Sequence, residues 1–292
     1  MCIDAERPKI IPSDTLLHAR SNSPILSVHQ IWGGSKIKYI VYTAMSMRIL
    51  LWNCCNGIGD QSKIDYIKSF NPDIAVIPEI KEKNIAQIKP DDFVWITNNH
   101  KNPIPKGLGV LGFNGYKLTP LPRDQEMEIF IPLRVTKNSF AFNLLAVWNF
   151  YSASKQGRFK DLKGPDCLEY SALRYYKPMF CDPSMIIGDW NMGPTFALQS
   201  FLKVVDIASQ SGMKSIYHEF FKLPHDKTNH STFRRTHKGV AHQHHLDQIF
   251  GSKFFYENIS NLLIDDFTNV VHSDHAPVVL VINTNGQLSP QT

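Results

Sequence analysis

The chain has 292 residues, 43% of them hydrophobic, and a net charge of +5, enough for one large domain or two small ones with a sizeable core. It holds no run of about 18 apolar residues that would predict a membrane-spanning helix, and its N-terminus lacks the charged start, apolar segment and small-residue cleavage site of a secretory signal. Five cysteines (Cys2, Cys54, Cys55, Cys167, Cys181) without a C-x-x-C predict a reducing, cytoplasmic setting and argue against a disulfide framework or zinc ribbon, while the mild basicity permits an anionic partner without demanding one.

Residues 1–46 mix Pro8, Pro12, Pro24, Gly33 and Gly34 with scattered apolar residues and hold no sustained period. Met45 or Met47 is the expected true start. The stretch before it is then a disordered tail or a start read too far upstream; a short packed arm is the alternative. From Met47 the pattern alternates strands and helices. Arg48–Asn53 is a strand, and Lys63–Phe70 has helical spacing through Ile64 and Ile67, ended by Asn71-Pro72-Asp73. Ile74–Ile77 predicts a buried strand running into Pro78-Glu79. Further strands are predicted at Phe93–Thr97, Leu108–Phe113 and Ile129–Val135, the last joined to Phe140–Trp148 by a Lys137-Asn138-Ser139 hairpin turn. Tyr151–Pro165 is polar and basic, an expected exposed loop. Helices over Asp166–Phe180 and Thr195–Gln210 bracket a strand at Ser184–Gly188. Phe233, His245–Phe250, Ile259–Ile264 and Val278–Ile282 supply the last strands, and the tail 284–292 is polar. Hairpins mixed with strand–helix units predict an α/β chain with two packed sheets and helices outside them, in one domain over 47–283.

Polar residues interrupt this pattern at strand ends. His272-Ser273-Asp274-His275 lies between Val270-Val271 and the apolar run Val278–Ile282. Desolvating an unpaired charge in a sheet is expensive, so this stretch is either a polar turn or a loop at the mouth of a sheet, presenting Asp274 and His275 to a site. Four further places repeat the motif: Trp52-Asn53, Pro78-Glu79, Gly188-Asp189-Trp190-Asn191 and His245-Leu246-Asp247-Gln248. Each alone fits a turn or a helix cap. Five in one chain are harder to explain as turns.

In this order the motifs resemble the endonuclease/exonuclease/phosphatase superfamily, which includes abasic-site endonucleases, pancreatic-type deoxyribonucleases, inositol polyphosphate 5-phosphatases and sphingomyelinases. The matching residues are Leu51-Trp52-Asn53 with Gly57, Pro72-Asp73-Ile74 through Glu79, Gly188-Asp189-Trp190-Asn191, His245-Leu246-Asp247-Gln248-Ile249 and Ser273-Asp274-His275-Ala276-Pro277. The resemblance implies a four-layer sandwich, two mixed β-sheets flanked by helices, with the site at the strand ends. It also implies phosphate-ester hydrolysis with Mg²⁺, for which Mn²⁺ can substitute. Hydrolysis of an anionic ester needs a cation on its non-bridging oxygens and an oriented water, and hard oxygen donors suit Mg²⁺. On this resemblance Asn53, Glu79 and Asp274 are the expected metal ligands. Asp189 would position or deprotonate the water, Asn191 would hold the water or the phosphate, and His275 would sit on the phosphate, paired with Asp247.

Two departures bear on substrate. Cys54-Cys55 stands where several relatives place an acidic residue, and thiols are poor Mg²⁺ ligands. Val147-Trp148-Asn149 ends the strand where many relatives carry a His or Tyr on the phosphate; Asn149 or Tyr151 could substitute, with Trp148 in the core. His242, His244 and His245 cluster, with His225, His230 and His237 upstream. A zinc site is one reading; a solvated loop over Thr228–Gln243, with His245 bordering the site, is the favoured one. Lys155, Arg158, Lys160 and Lys163, and then Arg234, Arg235, His237 and Lys238, either track a phosphate backbone or are solvated surface. The expectation is a monomeric phosphodiester hydrolase acting on nucleic acid, with Asn149, Tyr151, Arg234 and His245 on the substrate. A phosphatase or phosphodiesterase on a small or lipid ester is the alternative, and an inactive nucleic-acid-binding relative a further one.

Overall fold

The structure, a computed structural model, describes residues 26–33, 36–43, 46–55, 57, 59, 61–97, 106–127, 130–149 and 168–284. The chain divides into two units, Met1–Ala44 and Met45–Thr292. In the first, β1 (Leu26–Gly33) and β2 (Lys36–Thr43) pair antiparallel from Leu26↔Thr43 to Gly33↔Lys36. The sequence predicts no regular element there. Its β-branched and aromatic residues are nevertheless strand chemistry.

The second unit holds two six-stranded sheets. One is built from β3 (Ser46–Leu51), β4 (Ile74–Ile80), β5 (Asp92–Thr97), β6 (Gly107–Gly112), β15 (Ile259–Ile264) and β16 (Val278–Asn283), in the order β15-β16-β3-β4-β6-β5. The other has the order β11-β14-β10-β9-β8-β7. It comprises β7 (Lys117–Pro120), β8 (Phe130–Lys137), β9 (Phe140–Trp148), β10 (Ser184–Asp189), β11 (Lys214–Ser215) and β14 (Asp247–Gly251). Within each sheet one central pair is parallel, β3 with β4 and β9 with β10; all other neighbours are antiparallel.

The period of two along a strand explains the layering. Met47, Ile49 and Leu51 of β3, Leu144 and Ala146 of β9, and Val278, Leu280 and Ile282 of β16 meet in the core between the sheets. The alternate residues Leu50, Ala75, Ile77 and Val279 face outward onto α1 (Gln61–Ser69) and α2 (Glu82–Ile88) through Ile64, Ile67, Ile85 and Ile88. On the other sheet Leu145, Val147, Ile186 and Phe250 pack on α3 (Leu168–Tyr176) and α4 (Leu198–Ser209) through Ala172, Leu173, Phe201 and Val204. Central strands covered on both faces read as continuous apolar runs, as Ile74–Ile77 does. The result is helix, sheet, sheet, helix: the expected four-layer sandwich.

The stretch expected as a solvated loop over Thr228–Gln243 is instead largely a hairpin, β12 (Phe233–His237) with β13 (Val240–His244). Lys238 and Gly239 take φ of +50° and +77°. Those are the two left-handed positions of the tight turn whose twist matches paired strands. The hairpin is solvent-exposed along most of its length, so the polar composition was a true signal of exposure and a false one of irregularity. Two short helices, α5 (Ile216–Phe221) and α6 (Lys253–Glu257), complete the unit.

Candidate active site

Strand direction gathers the polar motifs at one edge. Asn53 follows β3 and Glu79 lies near the end of β4, its parallel partner; Asn149 follows β9, and Asp189 ends β10, also parallel to β9. β14 and β16 run antiparallel to β10 and β3, so it is their N-terminal ends, carrying Asp247 and the Asp274-His275 loop, that reach the same edge.

Local backbone fixes each side chain. At Gly188 a Cβ would stand 1.8 Å from the Val147 carbonyl oxygen. Only glycine lets β9 and β10 approach that closely and deliver Asp189. Asn191 takes φ of +49°, its N–H donating to Asp189 Oδ1 at 3.0 Å. Glu79 takes φ of +65° at a register shift between Pro78 and Ile80. The bulge leaves Glu79 out of the ladder and re-aims its carboxylate. A left-handed glutamate in a polar cluster is strain of the kind retained at functional sites.

Asp189 is 1% exposed. Its Oδ2 accepts from Asn53 Nδ2 at 3.0 Å and Asn191 Nδ2 at 3.2 Å, and lies 4.0 Å from His275 Nε2. Burial pushes its pKa up to about 7, against the His275 imidazolium, which lowers it. His275 Nδ1 is 2.8 Å from Asp247 Oδ2. Burial would push the imidazole down, but the Asp247 and Asp189 carboxylates outweigh it and hold the pKa up to about 10. Between about 7 and about 10 both members of the Asp189–His275 pair are therefore charged. Asp189, Asp247 and His275 offer ligand atoms within 4.8 Å of one another, close enough to share a cation.

The opposite side of the cluster holds Asn53, Glu79, Cys55 and Asp274. Asn53 Nδ2 also reaches Glu79 Oε1 at 3.4 Å. The Cys55 thiol bonds the Asp274 carboxylate; burial, then Asp274 and Glu79, pushes its pKa up, so it stays a neutral thiol. Ser273 Oγ donates to the Asn53 carbonyl at 2.7 Å and Trp52 Nε1 to the His275 carbonyl at 2.9 Å, stapling the two motifs together. Thr232 Oγ1 accepts the Leu246 and Asp247 amides at 2.9 and 3.0 Å, and Arg234 N–H donates to the Asp274 carbonyl at 2.8 Å. The root of the hairpin is thus tied to the site.

Among the sequence-derived residues, the structure brings together Asn53, Glu79, Asp189, Asn191, Asp247, Asp274 and His275. Asn149 is buried beside them, its Nδ2 donating to the Trp190 carbonyl and its own carbonyl accepting from Asn191. Arg234 is exposed on the hairpin. Tyr151 and the Lys155–Lys163 loop lie outside the described residues. His245 does not border the open site as expected. It is 1% exposed, its Nδ1 3.1 Å from the His230 carbonyl and its ring 4.2 Å from Tyr217, and burial pushes its pKa down to about 3. It lies in the link between β13 and β14, enclosed by the Tyr217 ring and the His230 carbonyl, both distant in sequence.

Sequence reasoning missed two lysines. Lys106 Nζ sits 2.5 Å from Glu79 Oε2 and 5.7 Å from the centroid of the Trp148 ring, which is core as expected. No motif flags it; it simply precedes β6. Lys63 is 4% exposed and donates to the carbonyls of Cys54, Cys55 and Gly57 at 2.5, 3.2 and 3.0 Å, clamping the loop after Asn53. A lysine next to Ile64 on the buried side of α1 was the available signal.

No known family profile and no curated protein matches the sequence. Solved structures do match. The endonuclease domain of TRAS1, a telomere-specific non-LTR retrotransposon, is 13% identical, with a TM-score of 0.58 over 82% of this chain and 99% of its own. A 3′ phosphatase from Neisseria bound to a product DNA hairpin is 15% identical, with a TM-score of 0.58 over 80% of this chain and 98% of its own. An AP endonuclease from Leishmania major is 12% identical, with a TM-score of 0.60 over 82% of this chain and 88% of its own. With two six-stranded sheets between helices and an acidic cluster at their shared edge, the chain has the fold of the endonuclease/exonuclease/phosphatase superfamily.

Proposed function

We propose that this chain is a divalent-metal-dependent phosphodiester hydrolase whose substrate is nucleic acid. The observation that carries the proposal is Asp189, a buried carboxylate with its pKa raised to about 7, held between two amides and an imidazolium. A base whose pKa lies near the operating pH is the one best placed to take a proton from water. Asn53 and Asn191 orient that carboxylate; with its NH₂ committed to the Asn149 carbonyl and Asp189, Asn191 keeps its amide oxygen to accept a hydrogen bond from the attacking water.

His275 handles the opposite charge. With Nδ1 committed to Asp247 and both ring nitrogens protonated, it offers no lone pair to a metal; its Nε2–H is a donor for a phosphoryl oxygen. This argues for metal on the other side of the cluster, where Asn53, Glu79 and Asp274 are hard oxygen donors. The Lys106 ammonium against Glu79 supports that fit, since this carboxylate already accepts a cation. Mg²⁺ held there, or Mn²⁺ in its place, would neutralise the non-bridging oxygens of the ester. The exposed basic residues on the hairpin rooted at the site support nucleic acid over a small ester.

The test is hydrolysis of plasmid DNA, an RNA oligonucleotide and bis(p-nitrophenyl) phosphate with Mg²⁺, with Mn²⁺ and with EDTA. Metal-dependent cleavage of a nucleic acid, lost in Asp189→Asn, is the expected result. Turnover confined to small phosphate esters would replace this reading with the phosphatase one, and no turnover of any ester in either metal would leave a binding protein.

A further inference from the structure

The hairpin β12–β13 carries Arg234, Arg235 and Lys238 with His237, His242 and His244, and no acidic residue between Phe233 and His244. Its register divides these between two faces. Phe233↔His244, Arg235↔His242 and His237↔Val240 share one face, while Arg234, Thr236, Ala241 and Gln243 occupy the other. The first face begins at the site. The Phe233 ring stands edge-on to His275 at 5.1 Å, and His244 lies parallel to Phe233 at 6.2 Å and 10°. His242 follows at 6.4 Å from His244. Phe196, on the turn five residues past Asn191, joins the same group at 5.1 Å from His244. A run of rings therefore leads from His275 out to solvent. At its outer end Phe196 is 49% and Val240 58% exposed. Neither position serves the core, and an exposed aromatic in a cation-rich patch next to a site is a recognition feature.

We propose that this face, with Phe196, is a stacking platform for unpaired bases adjoining the scissile phosphate, so that the substrate is single-stranded nucleic acid or an unpaired end. The proposal rests on the nucleic-acid reading of the site and names the substrate class within it. Ring faces bind the faces of bases, which a duplex hides within its stack, whereas a duplex is read through donors and acceptors at base edges. Same-face residues of a strand recur about every 7 Å, a repeat that suits successive nucleotides of an unstacked strand. Arg235 and His237, on the ring-bearing face, are placed for the phosphates between those bases. The absence of carboxylates along the hairpin keeps the path free of repulsion.

The experiment measures binding of the full chain in EDTA to a labelled single strand and to the same sequence as a blunt duplex, over a range of salt. The single strand is expected to bind tighter. Phe196→Ala and His242→Ala, both at exposed positions, should each weaken single-strand binding roughly 5- to 150-fold, the value of one stacked base. Phe196→Trp should preserve it. Arg235→Ala should flatten the salt dependence by about 0.7 in log–log slope, one phosphate contact on a single strand. Equal or tighter duplex binding, or unchanged affinity in both ring variants, overturns the platform. Hydrolysis of bis(p-nitrophenyl) phosphate by the wild-type chain separates the two proposals. Turnover without single-strand preference sinks the platform alone; single-strand preference without turnover of any ester sinks the hydrolase alone.

Discussion

Asp189→Asn separates catalysis from stability in opposite directions. In the metal-free protein the buried carboxylate titrates near 7 rather than at its ordinary 3.8. A raised acid is a source of stability below about 3.8 that is lost as pH rises to about 7. At about 1.4 kcal/mol for each pKa unit, the ionised group costs the folded state on the order of 4 kcal/mol at pH 8. Asparagine removes that cost. It also turns an amide NH₂ toward the Asn53 and Asn191 NH₂ groups, or toward the Asn191 backbone N–H. Such an unmatched donor costs about 1–3 kcal/mol. The balance favours the variant by about 1–3 kcal/mol, a rise of roughly 2–10 °C in Tm for a unit of this size. Turnover should fall at least about a hundredfold, the usual worth of a general base. Thermal unfolding at pH 8 in EDTA, beside turnover at saturating Mg²⁺, checks both. Near-normal turnover, or a lower Tm at pH 8, would refute the assignment of Asp189 as a strained base.

Three further outcomes are expected. Glu79→Gln should raise the Mg²⁺ concentration needed for half-maximal rate, and excess Mg²⁺ or Mn²⁺ should restore part of the rate; a metal titration reads this directly. Lys63→Met leaves three carbonyls without their ammonium, so it should loosen the loop that carries Asn53 and cost about 1–3 kcal/mol, the usual worth of an unsatisfied buried polar group, measured by urea unfolding. Burial holds His218 and His245 neutral, with pKa values pushed down to about 4 and about 3, so stability from both is full above 6.5 and lost as pH falls below it. Burial lowers His230 in the same sense, and Asp189 opposes one such proton in the metal-free wild type, so urea unfolding between about pH 6 and 4.5 should show stability falling with pH more steeply in Asp189→Asn than in the wild type, by about 1.4 kcal/mol per pH unit.

The layers were legible because buried strands write themselves as apolar runs: Ile74–Ile77, Phe140–Trp148 and Val278–Ile282 stand where expected. What failed was structure whose determinants lie elsewhere in the chain. Lys117–Pro120 is a short edge strand and Lys214–Ser215 two residues long; neither carries a period, and both exist because β8 and β14 offer open edges. The β12–β13 hairpin has only Phe233 and Val240 as large apolar residues among polar and basic neighbours, so hydrophobic alternation could not announce it, although Lys238-Gly239 is turn chemistry. The site shows the same division. Asp189, Asp247, Asp274 and His275 could be named because a charge set against an apolar run needs a reason, and the reason is visible from the run itself. Lys106 and Thr232 act only through partners distant in sequence, Glu79 and the amides of Leu246 and Asp247. His245 was expected to border the site for a related reason: sequence shows that it neighbours Asp247, while the Tyr217 ring and the His230 carbonyl that bury it come from elsewhere in the chain. A site assembled from strand ends is thus readable in the residues that break a pattern, and hidden in those that complete one.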